Sequence, residues 1–99
     1  MDRLALVALN SAMDDYASVT SVREELAAFF GKVVSDESLF SAFRELEVQG
    51  LVEAHRVSPD NQRLVPTSST EKDAPDEIWF LAKAKGRQVV ALEWGRVFQ

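Results

Sequence analysis

At 99 residues, 46% hydrophobic and 27% charged, the chain is long enough for one hydrophobic core and too short for two ordinary domains. It has no cysteine, which excludes a disulfide framework and a thiolate metal site and is compatible with a reducing cytosol. The net charge of -5 is unevenly placed: residues 1–50 hold nine acids against four bases, whereas residues 51–99 hold seven of each.

The first segment, MDRLALVALNSAMDDY, has an apolar run broken by Asn10 and Ser11, with Leu4, Val7, Ala8 and Leu9 at helical spacing. It reads as an amphipathic helix over about Asp2 to Asp15 rather than as a signal peptide. No run approaches the roughly 18 apolar residues of a membrane span, so a soluble cytoplasmic protein is expected. The next segment, ASVTSVREELAAFFG, carries its own start and stop. Thr20 or Ser21 can accept from the first free amides, Glu24 and Glu25 suit the opening turn, and Gly31 can close the helix in the left-handed conformation. After the short Lys32-Val33-Val34 turn, Ser35 or Asp36 caps a third helix running to Gln49, with Leu39, Phe40, Phe43 and Leu46 on one side. Two short helices joined by a tight connection make a helix-turn-helix pattern.

Gly50 ends that helix, and Leu51 to Val57 restarts as a strand. Residues 58–76, SPDNQRLVPTSSTEKDAPD, are rich in turn formers with no sustained period and read as a long loop or flexible wing. Glu77 to Leu81, EIWFL, is a second strand able to pair antiparallel with the first, and Trp79 and Phe80 must then point to opposite faces, so that only one enters the core. Val89, Val90, Leu92 and Trp94 suit a fourth helix ending near Gly95.

The passage Phe43 to Val52, FRELEVQGLV, resembles the "LxxLexxGLV" segment of winged-helix regulators of the PadR and MarR type. Leu81 and Gly86 match landmarks of the same family's "L-T-x-x-G-x-x-L" entry into a C-terminal helix, with Ala82 where a threonine is usual. The resemblance implies an α+β winged helix-turn-helix of three to four helices with a two-stranded β-wing. It implies a transcriptional regulator whose third helix enters the major groove of double-stranded DNA while the wing reaches the backbone or adjacent minor groove. Carried onto this chain, the contacts would come from Lys32, Ser38, Ser41 and Arg44 around the helix and from Arg56 and Arg63 on the wing. Dimers of that family commonly form through their first and last helices, and Trp94, Val97 and Phe98 supply large apolar side chains for such a homodimer or, equally, for the chain's own core.

Charge argues the other way. Phosphate contacts carry most nucleic-acid affinity, and Asp36 and Glu37 at the leading end of the third helix would repel phosphates, although acids there also complement the helix dipole without any ligand. Arg56 and Arg63 read equally as solvated charges, and Lys83, Lys85 and Arg87 alternate, so on a helix they spread around it. A winged-helix module that binds a protein instead of DNA is therefore the rival expectation. Catalysis has little material. His55 is the one histidine and sits on a strand, where a solvent-facing or half-buried structural role is the default. Asp14-Asp15 and Glu24-Glu25 are helical neighbours about 100° apart that do not converge on one atom, and the four glycines are scattered. No enzymatic activity, cofactor or metal is expected.

Overall fold

The computed structural model describes residues 1–98. Its elements run α1 (Arg3–Ser11), β1 (Ala17–Ser18), α2 (Val19–Phe30), α3 (Asp36–Val48), β2 (Val52–Val57), β3 (Leu64–Thr67), a 3-10 turn (Pro75–Glu77), β4 (Trp79–Ala82) and α4 (Ala84–Val97). The architecture is α+β, with four helices and one four-stranded antiparallel sheet in the order β1-β4-β2-β3. No helix among the described residues is long and apolar enough to cross a membrane.

The helix α1 is buried around most of its circumference, because Leu6, Val7, Ala8 and Leu9 are consecutive and all inaccessible. It packs against α2, α3 and α4. Asp2 caps its start by accepting from the amide of Ala5 at 2.7 Å, and the carbonyl of Ala12 just past its end accepts from the amide of Ala82 at 2.8 Å, tying it to the end of β4. Between sheet and helices the main packing unit is a pair of rings. Phe43 of α3 stacks on Phe80 of β4 with centroids 4.4 Å apart and planes 3° from parallel, and Phe40 adds a tilted contact to the same Phe80.

The helix ends follow the local chemistry. Ser18 and Ser21 form a reciprocal capping box at the start of α2, one residue pair earlier than the Thr20 or Ser21 start expected, because Ala17–Ser18 is drawn into the sheet opposite Phe80 and Trp79. Gly31 ends α2 in the left-handed region. At the end of α3, Gly50 adopts φ +75, its amide donates to Glu47 and the amide of Leu51 donates back to Leu46, the pair of bonds that defines a Schellman ending. Helix α1 stops at Ser11, short of the expected Asp15, and α4 continues through Gly95 to Val97.

Three expectations about the sheet are corrected. The wing is not a two-stranded hairpin but part of a four-stranded sheet, since β1 adds an edge and β3 forms inside the stretch expected to be loop. Residues 58–76 therefore contain the strand Leu64–Thr67, which pairs with β2 from Ala54 to Val57 through a turn in which Asn61 takes a positive φ. His55 is buried, neither solvent-facing nor half-buried as expected. Its Nε2 lies 3.0 Å from Glu53 Oε1, and its ring packs nearly perpendicular to that of Tyr16 with centroids 4.8 Å apart. The expected pairing of β2 with β4 is present, from Val52–Ala82 to His55–Trp79, and it turns Phe80 fully inward while Trp79 lies half-buried on the opposite face.

Candidate nucleic-acid interface

The site is built on α3, which Ser35 starts by accepting from the amide of Ser38 at 3.1 Å. Four core side chains, Leu39, Phe40, Phe43 and Leu46, hold one side of the helix, so the positions between them face outward by helical geometry alone. The solvent face consists of Ser38, Ser41, Glu45 and Val48, all exposed, with Arg44 half-buried at its margin. Ser38, Ser41 and Arg44 thus lie together, as expected of three residues spaced by one turn. The Ser38 hydroxyl accepts from Ser35 at 2.9 Å, and the buried Nε of Arg44 has no hydrogen-bond partner among the described residues. Asp36 is taken up by α2, where Nη1 of Arg23 donates to it at 2.6 Å. That leaves Glu37 as the acid of the first turn without an ion pair among the described residues.

The remaining candidates are not on this face. Lys32, just past Gly31, borders an apolar groove with Arg3, Leu4, Phe30, Val34 and Phe98. Arg63 is exposed in the β2–β3 turn, its carbonyl accepting from the amide of Ser58 at 2.8 Å. The same turn is braced by Asp60, whose carboxyl is held below the ordinary carboxylate range by a hydrogen bond from the Ser58 hydroxyl. Arg56 is already engaged: its Nη2 donates to Asp73 at 2.8 Å and its Nη1 lies 3.9 Å from Glu77. A guanidinium neutralised twice is a brace for its own loop before it is a phosphate contact. Of the basic residues opening α4, Lys83 occupies the cap position and Lys85 donates to the carbonyl of Gln49 at 3.3 Å.

Sequence reasoning missed the segment Ser68–Glu77, which lies alongside α3. Ser69 donates through its amide to Glu47 at 3.2 Å and through its hydroxyl to the other oxygen of the same carboxylate. Further along, Glu71, Asp73 and Pro75 face Glu37, Phe40, Ser41 and Arg44 across a cleft of about 430 Å³. Asp73 organises this segment by accepting from the amide of Thr70 at 2.8 Å as well as from Arg56. The one signal available was Thr70-x-x-Asp73, a spacing at which a side chain reaches back to a backbone amide. No protein-family model matches this sequence, and no curated protein matches it either.

Proposed function

We propose that this chain is a winged-helix module of the DNA-binding regulator class, acting in the cytoplasm, with α3 as the helix that enters the groove. The observation that carries this reading is the order of parts around α3. A helix pair closed by Gly31 presents an outward face with Ser38, Ser41 and Arg44, and the Schellman ending at Gly50 sends the chain directly into a sheet that flanks the helix. Serines of this kind reach phosphates and an arginine reads guanine. Arg63, exposed and without an ion-pair partner among the described residues, is the wing residue best placed by its freedom to meet a backbone phosphate. Two such modules on one duplex require a homodimer, for which the ends of α1 and α4 are the candidate surface: Phe98 packs on Trp94 at 4.4 Å and on Phe30 at 5.7 Å, and the guanidinium of Arg3 lies over its ring.

A second reading, a module that binds another protein and not DNA, is favoured by the composition of the same face. Glu45 and Val48 stand beside the serines, and Val48 is 83% exposed. Carboxylates repel phosphates, whereas a mixed apolar and acidic helix face is ordinary for protein recognition. Titration of isotope-labelled protein with mixed-sequence duplex DNA at low salt separates the two. The DNA reading requires shifted amide resonances at Ser38, Ser41, Arg44 and Arg63, and their weakening on Arg44→Ala. Unchanged spectra up to a millimolar-range excess of DNA would exclude the usual non-specific affinity of roughly 10⁻⁴ to 10⁻⁶ M and leave the protein-binding reading.

A further inference from the structure

We infer that the segment Ser68–Glu77 is an acidic strap that holds α3 closed to polyanions and must swing out before the helix can enter a groove. The inference rests on the DNA-binding reading of α3. The strap follows the helix from one end to the other: Ser69 is bonded to Glu47 near the last turn, Glu71 and Asp73 share the cleft with Arg44 and Ser41, and Pro75 closes against Phe40 and Glu37 near the first. Two of its four carboxylates, Glu71 and Asp73, therefore border Arg44, the one cation on the face among the described residues, in the strip beside the helix that a phosphate backbone would occupy on docking. A carboxylate there repels an incoming strand and competes with it for Arg44.

The strap is built to move. None of residues 68–77 is buried, and the chain regains the core only at Ile78, which is inaccessible. At its other end the segment leaves the sheet at Thr67, paired with Ala54. Both hinges stay in place while the strap opens, and the apolar surface uncovered by the motion is confined to the contact of Pro75 with the edge of Phe40. What holds it shut is mainly polar: the Ser69 bonds to Glu47, and the Asp73 carboxylate shared by Thr70 and Arg56, with Pro75 against Phe40 as the apolar contact. Opening would release Arg56 from Asp73 and uncover Arg44, which has no ion pair among the described residues, making both available to phosphate.

Two variants test this, one that keeps every charge and one in which two forms of the same charge are compared. Ser69→Ala removes the hydroxyl bond to Glu47, leaves only the 3.2 Å bond from the backbone amide, and keeps every charge in place. Glu47→Cys with Ser69→Cys introduces the only two thiols of the chain, so a short bis-maleimide linker can pin the strap, and the linked and unlinked forms differ in nothing else. Binding of mixed-sequence duplex DNA is followed by anisotropy at low salt, with circular dichroism confirming the fold. A latch closed nine-tenths of the time lowers apparent affinity by about tenfold, so Ser69→Ala should bind up to that much more tightly than the native chain, and the unlinked pair more tightly than the same pair linked, by about tenfold or more. If DNA is bound equally by linked and unlinked forms, the latch is wrong and the DNA reading stands. If no form binds, strap open or closed, the DNA reading falls and the latch loses its purpose with it.

Discussion

The guanidinium of Arg56 and the carboxylate of Asp73 meet at 2.8 Å across seventeen residues of chain, joining the middle of β2 to the segment that runs beside α3. The Asp73 carboxylate is the shared acceptor, receiving the Arg56 side chain and the Thr70 amide. The bond from Arg56 first, and that from Thr70 second, hold the Asp73 carboxyl below the ordinary carboxylate range.

This pairing sets an acid limit on the segment. An aspartate whose folded value lies below its unfolded value of about 3.9 contributes its full stabilisation above that pH and loses it as pH falls through the folded value. Arg56 stays protonated throughout. Amide exchange at Thr70 and Asp73 should therefore be constant from neutrality down to about pH 4 and accelerate, after correction for intrinsic rates, at lower pH. Asp73→Asn should show the faster exchange at every pH and lose the acid step. A wild-type profile with no step below that range would mean that the pair does not hold the segment.

Gly86 tests how closely α4 approaches the rest of the fold. A Cβ built at this position would lie 2.2 Å from the carbonyl oxygen of Leu51 and 2.9 Å from Leu9, and that carbonyl is fixed because it accepts from the amide of Lys83 at 2.9 Å. Alanine is the better helix former by about 1 kcal/mol, so propensity alone predicts stabilisation. The clash is with backbone that cannot turn aside, and overpacking of this kind costs about 1–3 kcal/mol or more. Gly86→Ala should lower the urea midpoint; a raised midpoint would show that α4 stands further from Leu51 than described.

The ring pair at the centre gives the largest single effect. Phe43 and Phe80 are both fully buried and stacked, so Phe43→Ala removes the ring's transfer energy and leaves a cavity against the sheet, a loss of about 3–5 kcal/mol. For a chain of this size that is much of the whole stability. Phe40, at 6.2 Å and tilted, shares less of the same ring and should cost less on truncation to alanine. Chemical denaturation of both variants checks the order, and equal losses would contradict a core centred on the stacked pair.

The fold was legible where local chemistry decides it. The apolar spacing of Leu39, Phe43 and Leu46, the cap at Ser35 and the left-handed glycines at Gly31 and Gly50 all act within a few residues, and each is found where the sequence placed it. The short strand Ala17–Ser18 was not legible, because its extended form is imposed by pairing with Trp79 and Phe80, more than sixty residues away. Leu64–Thr67 failed for a related reason: a four-residue edge strand containing Pro66 has little period, and its partner supplies the order. His55 was expected too near the surface because the covering group, Tyr16, comes from another part of the chain. The candidate face on α3 was readable from helical spacing, whereas the engagement of Arg56 by Asp73 and the seating of Ser69 on Glu47 were not, since both depend on how a long connection returns to the helix.

The proposed homodimer makes a separable prediction at Leu92. This side chain lies on α4, is 67% exposed and contributes nothing to the buried core, so its replacement should change monomer stability by no more than about 0.5 kcal/mol. At the centre of a self-association surface the same position would carry far more, because a glutamate there leaves a charge opposite its own copy in the paired subunit, and like charges brought together without partners are strongly unfavourable. Leu92→Glu should therefore turn a sedimenting dimer into a monomer while leaving its thermal midpoint, measured at concentrations where both chains are monomeric, nearly unchanged. A native chain that sediments as a monomer at high micromolar concentration would remove the two-half-site arrangement, and α3 would then have to engage any duplex alone. A variant that remains dimeric would take Leu92 out of the interface and confine it to the cluster of Phe98, Trp94 and Phe30 at the ends of α1 and α4.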